Sequence, residues 1–104
     1  ATFVGAMEGA FRWLDQNARG PARIGYGDGL GLIGMLWGED LRHQVFYINQ
    51  EDEMQALDFL ITPVNARQDR AAAHHPRCVQ IVEDLREVNS LSVHLYRCGI
   101  GGSR

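Results

Sequence analysis

The 104-residue chain is 45% hydrophobic and 22% charged with a formal net charge of −3, the balance of a soluble globular protein whose length fits one domain over residues 1–104. No apolar run approaches the roughly 20 residues of a membrane span, and no secretory leader pattern opens the chain. The ten basic residues are all arginine and lie scattered, which argues against the clustered footprint of a nucleic-acid binder. Arginine without lysine, beside many alanines and glycines, fits a GC-rich bacterial genome. The two cysteines make no disulfide framework, so reduced thiols and a cytoplasmic location are expected.

The first element is an amphipathic helix over 3–18. Phe3, Met7, Ala10 and Leu14 share one stripe, and Thr2 suits the N-cap. Gly20 and Pro21 end it.

Next comes GYGDGLGLIG, residues 25–34, in which Gly29-x-Gly31-x-x-Gly34 spells a dinucleotide fingerprint. That motif works only where a buried strand enters and a helix leaves, so that phosphate meets free N–H groups. Arg23, Ile24 and Gly25 make a poor buried strand, and Gly38 interrupts the run after Gly34. A Walker loop needs a lysine, which the chain lacks. The favoured reading is structural: Gly25, Gly27, Gly29 and Gly31 share a parity, leaving one bare face against which the first helix or a ligand packs. A looser nest of backbone N–H groups stays open.

Residues 30–48 read as a β-hairpin turning at Gly38-Glu39-Asp40. Its second strand places His43, Val45 and Tyr47 on one face and Gln44, Phe46 and Ile48 on the other, apolar on both sides and therefore central. Residues 51–64 fit either a helix, with Met54, Leu57 and Ile61 as its stripe, or a strand; helix is preferred, because the acids at 51–53 suit a helix N-terminus. Asn65 to His75 reads as a connection with a partial helical turn. After Pro76, Cys78, Ile81, Val82 and Leu85 mark a helix face over 78–88. The rival is a hairpin of 78–85 with 91–98, in which Ile81 opposes Leu95. Leu91, Val93 and Leu95 form a strand, and 99–104 a flexible tail. The fold class expected is α+β: a small antiparallel sheet with two or three helices on one face, N-terminal helix first.

No constellation selects a reaction or a cofactor. His74-x-x-x-Cys78 and His94-x-x-x-Cys98 complete a tetrahedral zinc set, but four residues of strand span about 13 Å, so no metal site is expected. A Cys78–Cys98 disulfide requires the hairpin reading or a close approach of helix and strand. The leading expectation is a non-catalytic binding protein. It would hold a small apolar or mixed ligand between the first helix and the sheet, using Trp13, Trp37, His43, Tyr47 and Asp28. An alternative is an inhibitor-like protein whose acidic stretch, Glu39, Asp40, Glu51, Asp52, Glu53 and Asp58, meets a basic protein. A second alternative is a small enzyme using Asp28, Asp58 or His43 as acid or base. A homodimer would cover the edge of so small a sheet.

Overall fold

The computed structural model describes residues 3–18, 21–31, 43–82 and 92–99. They build helix α1 (Phe3–Asn17), strand β1 (Arg23–Tyr26), strand β2 (Gln44–Tyr47), a 3-10 helix η1 (Glu51–Ala56), strand β3 (Phe59–Pro63), helix α2 (Arg67–Ala73), strand β4 (Val79–Gln80) and strand β5 (Val93–Arg97). The strands form one sheet in the order β2-β1-β3-β5-β4. The class is α+β, as expected, but the sheet is mixed. β1 runs parallel to both β2 and β3, with Ile24 opposite Val45 and Phe59. β5 runs antiparallel to β3 and to β4.

Helices lie on both faces of the sheet rather than one. Ala10, Phe11 and Leu14 of α1 pack with Ile24, Phe59, Ile61, Val93 and Leu95 on one side. On the other, Met54 of η1, Leu57 and Ala72 of α2 pack with Ile48, Leu60, Tyr96 and Cys98. The alternation Phe59-Leu60-Ile61 therefore feeds two cores, and all five residues of β3 are buried. A strand covered on both faces reads as a continuous apolar run, which is why the helical preference for 51–64 is corrected. Only 51–56 is helical, as a 3-10 turn closed by a capping box in which the Gln50 N–H donates to Glu53 Oε1 at 2.6 Å.

Two further expectations change. The residues expected as a buried central strand at 41–48 give β2, which lies at the edge of the described sheet. Its partner is β1 and the pairing is parallel, so no two-residue turn joins them. The proposed first strand of that hairpin, the turn at Glu39-Asp40, the Thr2 cap and the tail beyond Gly99 lie outside the described residues. The helix expected from Cys78 is instead the short strand β4, and its register with β5 is that of the rival hairpin, with Val79 opposite Arg97. The Ile81 N–H donates to the Leu95 carbonyl at 2.8 Å and continues it; residues 83–91 lie outside the described set. In that register Cys78 opposes Cys98, and the two are joined in a disulfide with Cα atoms 4.0 Å apart. The expectation of reduced thiols is overturned: closing a loop of this length stabilises by about 3 kcal/mol in the chain-entropy account.

The bare glycine face has a different occupant from the one expected. A Cβ on Gly25 would stand 2.5 Å from Leu57 Cδ1 and 2.6 Å from Ile48 Cγ1, and one on Gly27 would stand 2.5 Å from Thr62 Oγ1. At Gly25 and Gly27 the second core and a buried threonine, and not α1, fill the space, whereas Gly31 has nothing within 4 Å of the Cβ position. Gly25→Ala is expected to destabilise the protein by about 1–3 kcal/mol through overpacking. Urea unfolding checks this, and an unchanged midpoint would show that Ile48 and Leu57 yield without strain.

Candidate functional site

The parallel strands β1, β2 and β3 end together. In the order β2-β1-β3-β5-β4, the chain passes from β1 to β2 on one side and from β3 to β4 on the other, so the connections after the adjacent strands β1 and β3 lead in opposite directions. That reversal opens a crevice beyond the C-terminal ends of the strands, where ligands of open α/β sheets bind. Asp28 follows β1, Tyr47 closes β2, and Arg67 and Gln68 open α2 after β3.

These four side chains meet. Tyr47 Oη donates to Asp28 Oδ1. Arg67 donates through Nε to Asp28 Oδ2 at 3.3 Å, through Nη2 to Tyr47 Oη at 3.1 Å and through Nη1 to the Asn49 carbonyl at 2.6 Å. Gln68, 2% exposed, donates from Nε2 to Asp28 Oδ1 at 3.0 Å and to the Ile48 carbonyl at 2.7 Å, and accepts the Asp28 N–H on Oε1 at 3.0 Å. The Arg67 guanidinium, then the Tyr47 hydroxyl and the Gln68 amide, hold the Asp28 carboxyl far below the usual carboxylate range. Asp28 in turn raises the Tyr47 hydroxyl above its ordinary value. The cluster is thus a fixed carboxylate ringed by donors. It borders a cleft of about 500 Å³ between the segment Ile48–Glu51 and α2, lined further by Met54, Arg70 and His74.

Local sequence explains how α2 brings its residues there. Asn65 takes a left-handed φ of 68°, which asparagine tolerates better than most residues, and its N–H donates to Asp69 Oδ2 at 2.9 Å. The chain turns after Pro63 and enters the helix with Gln68 facing inward. Asp69, also buried, anchors the same helix to β5. It accepts from Tyr96 Oη at 2.6 Å and pairs with His94 Nδ1 at 2.8 Å. Burial pushes the Asp69 carboxyl up, but the Tyr96 hydroxyl, the Asn65 N–H and His94 together outweigh it and hold the group below its ordinary value. Burial and then Asp69 raise the Tyr96 hydroxyl.

The five ligand residues expected from sequence do not gather. Asp28 and Tyr47 meet as described. His43 and Trp13 lie toward the other end of the sheet. His43 is buried and spends both ring nitrogens: Nδ1 accepts the Ala22 N–H at 3.0 Å, which leaves Nε2 to donate to Asp15 Oδ1 at 3.2 Å. It ties α1 to the starts of β1 and β2. Trp13 packs edge-on against Phe59 with centroids 6.1 Å apart and flanks a second, smaller cleft of about 360 Å³ beside Ile81 and Val82. Trp37 lies outside the described residues, as do Glu39 and Asp40.

The remaining acids divide by role. Glu51 and Asp52 are exposed, Glu53 caps η1, and Asp58 accepts the Arg23 N–H on Oδ2 at 2.9 Å. Of the three acid–base candidates, His43 and Asp58 accept the N–H groups of the consecutive residues Ala22 and Arg23 at the start of β1, and Asp28 lies beyond its other end. Sequence reasoning missed Arg67, Gln68, Asp69, His94 and Tyr96. The available signal was the helix-favouring run Arg67–Ala73 after a proline and an asparagine. It lacks a large apolar stripe, so periodicity passed over it.

Because Asp69 has a depressed pKa in the folded state, its stabilising effect is complete above the unfolded value of about 3.9 and is lost as pH falls through the folded value. Asp69→Asn is expected to lower stability at pH 7 and to flatten the decline between about pH 5 and 2. Urea unfolding across that range measures both; parallel curves for the two proteins would remove Asp69 from this role.

Set against family models, curated proteins and solved structures, the chain finds no significant match in any of the three comparisons.

Proposed function

We propose that this chain binds a small polar molecule at the C-terminal ends of its parallel strands, in the cleft lined by Arg67 and Gln68, which Asp28 holds in place with Tyr47 beside it. The observation that carries this reading is the convergence of three side chains, Tyr47 from β2 and Arg67 and Gln68 from α2, on the Asp28 carboxylate at the crevice where strand order reverses. The cluster holds Arg67 and Gln68 in place through Asp28 before a ligand arrives, so the wall they form costs little further ordering on binding. The chemistry favours binding over catalysis. A general base works best with a pKa near the working pH, and Asp28 is held far below it. The apolar wall supplied by Ile48 and Met54 suits a ligand of mixed character.

The test is a thermal-shift screen of metabolites and nucleotides. A ligand at a hundred times its dissociation constant adds about 2.7 kcal/mol, which raises the midpoint of a domain this size by roughly 10 °C or more. The expected result is a shift from one chemical class that is lost in Arg67→Gln and weakened in Tyr47→Phe, but kept in Arg77→Gln on the exposed surface. A shift that survives both cleft substitutions contradicts this placement of the site.

A further inference from the structure

We infer that the cleft takes an anionic group, a phosphate or a carboxylate, held by Arg70 and His74 beside Arg67; this rests on the binding reading above and names the class of its ligand. Residues 67, 70 and 74 are spaced by three and four along α2 and its C-cap, so their side chains share one helical stripe, and all three line the cleft. The residue between them on that stripe is Ala71, too small to close the space.

Arg67 is already neutralised by Asp28. Arg70 is not: among the described residues no carboxylate stands within ion-pair distance of it. A guanidinium has five N–H donors, and Arg70 spends one on the Asn65 carbonyl. The rest have no acceptor among the described residues. With Arg67 balanced by Asp28, Arg70 is the guanidinium of the lining left without an ion-pair partner among the described residues, and Glu51 is the one acid of that lining. The amides of Asn49 and Gln50 add neutral hydrogen-bonding groups on the facing wall. A planar guanidinium with free donors beside a cavity matches phosphate and carboxylate oxygens bidentately.

The experiment titrates the intact protein with inorganic phosphate and, separately, with succinate. Ionic strength is held constant with sodium chloride, and the amide resonances of residues 67–74 are followed by NMR. Glucose serves as the uncharged probe. Saturable shifts with either anion, weakened about tenfold or more in Arg70→Gln and further in Arg70→Gln/His74→Gln, are expected, since hydrogen bonds to charged groups contribute about 1.5–3 kcal/mol. Both residues are exposed, so the variants should keep the wild-type melting temperature. Tighter binding of phosphate assigns a phosphoryl ligand, and tighter binding of succinate a carboxylate. Anion shifts unchanged in Arg70→Gln overturn the assignment. A response to glucose alone overturns the anion class and leaves the binding reading standing; no response to any probe, together with a flat thermal screen, overturns both.

Discussion

One side chain holds together the C-terminal ends of the parallel strands. The Gln68 carboxamide uses both its atoms at once: Oε1 takes the Asp28 N–H, and Nε2 reaches the Asp28 carboxylate and the Ile48 carbonyl. It thereby ties the loop after β1, the end of β2 and the first turn of α2. A buried amide is costly when unpaired and specific when fully paired. Gln68 can reach in only because position 27 has no side chain, since a Cβ there would stand 3.0 Å from its Oε1. Replacing either residue should disturb the other.

The two faces of the sheet carry different work. The α1 face is an apolar core with a cleft beside Trp13 at its edge, and His43 and Asp15 at its margin are spent on each other and on the backbone. The α2 face mixes an apolar core with a row of polar residues running from Asp28 through Gln68 and Asp69 to His94 and Tyr96. That row fixes α2 along its length: Gln68 at the ends of the parallel strands, Asp69 on the antiparallel strand β5. The Cys78–Cys98 disulfide pins the chain soon after α2 leaves the sheet. The helix that lines the cleft is therefore anchored before, within and after its span, and a rigid element is the better platform for a binding site.

How much of this the sequence shows depends on the range of each signal. The period of α1 is local and strong, and its span is legible. Asp28 and Tyr47 are named as ligand candidates from sequence, Tyr47 because it shares a strand face with His43 and Asp28 as a nearby carboxylate. The structure brings Asp28 and Tyr47 together but leaves His43 at the other end of the sheet. The parallel pairing of β1 with β2 and β3 is not, because pairing partners are set by packing between distant segments. Nor was Arg23–Tyr26 legible as a strand. Its four residues hold one glycine and an exposed arginine, yet Ile24 is fully buried between two parallel neighbours. One objection to a phosphate-binding glycine loop, that no buried strand enters it, therefore falls; residues 32–42, on the far side of Gly31, are not among the described ones. Arg67 and Gln68 were hidden for a related reason. A helix that packs through Ala72 and hydrogen bonds leaves no large apolar stripe for periodicity to find.

Amide hydrogen exchange at Asp28, in the native protein and in Gln68→Met, tests the central claim most directly. Methionine keeps the length and removes the hydrogen bonds. If Gln68 holds the ends of the parallel strands, the Asp28 amide is protected in the native protein and exchanges as an open loop does in the variant, while Ile61 and Leu95 in the middle of the sheet keep their protection. Equal protection of Asp28 in both proteins would contradict the account, because the cleft would then be shaped by something other than this clamp.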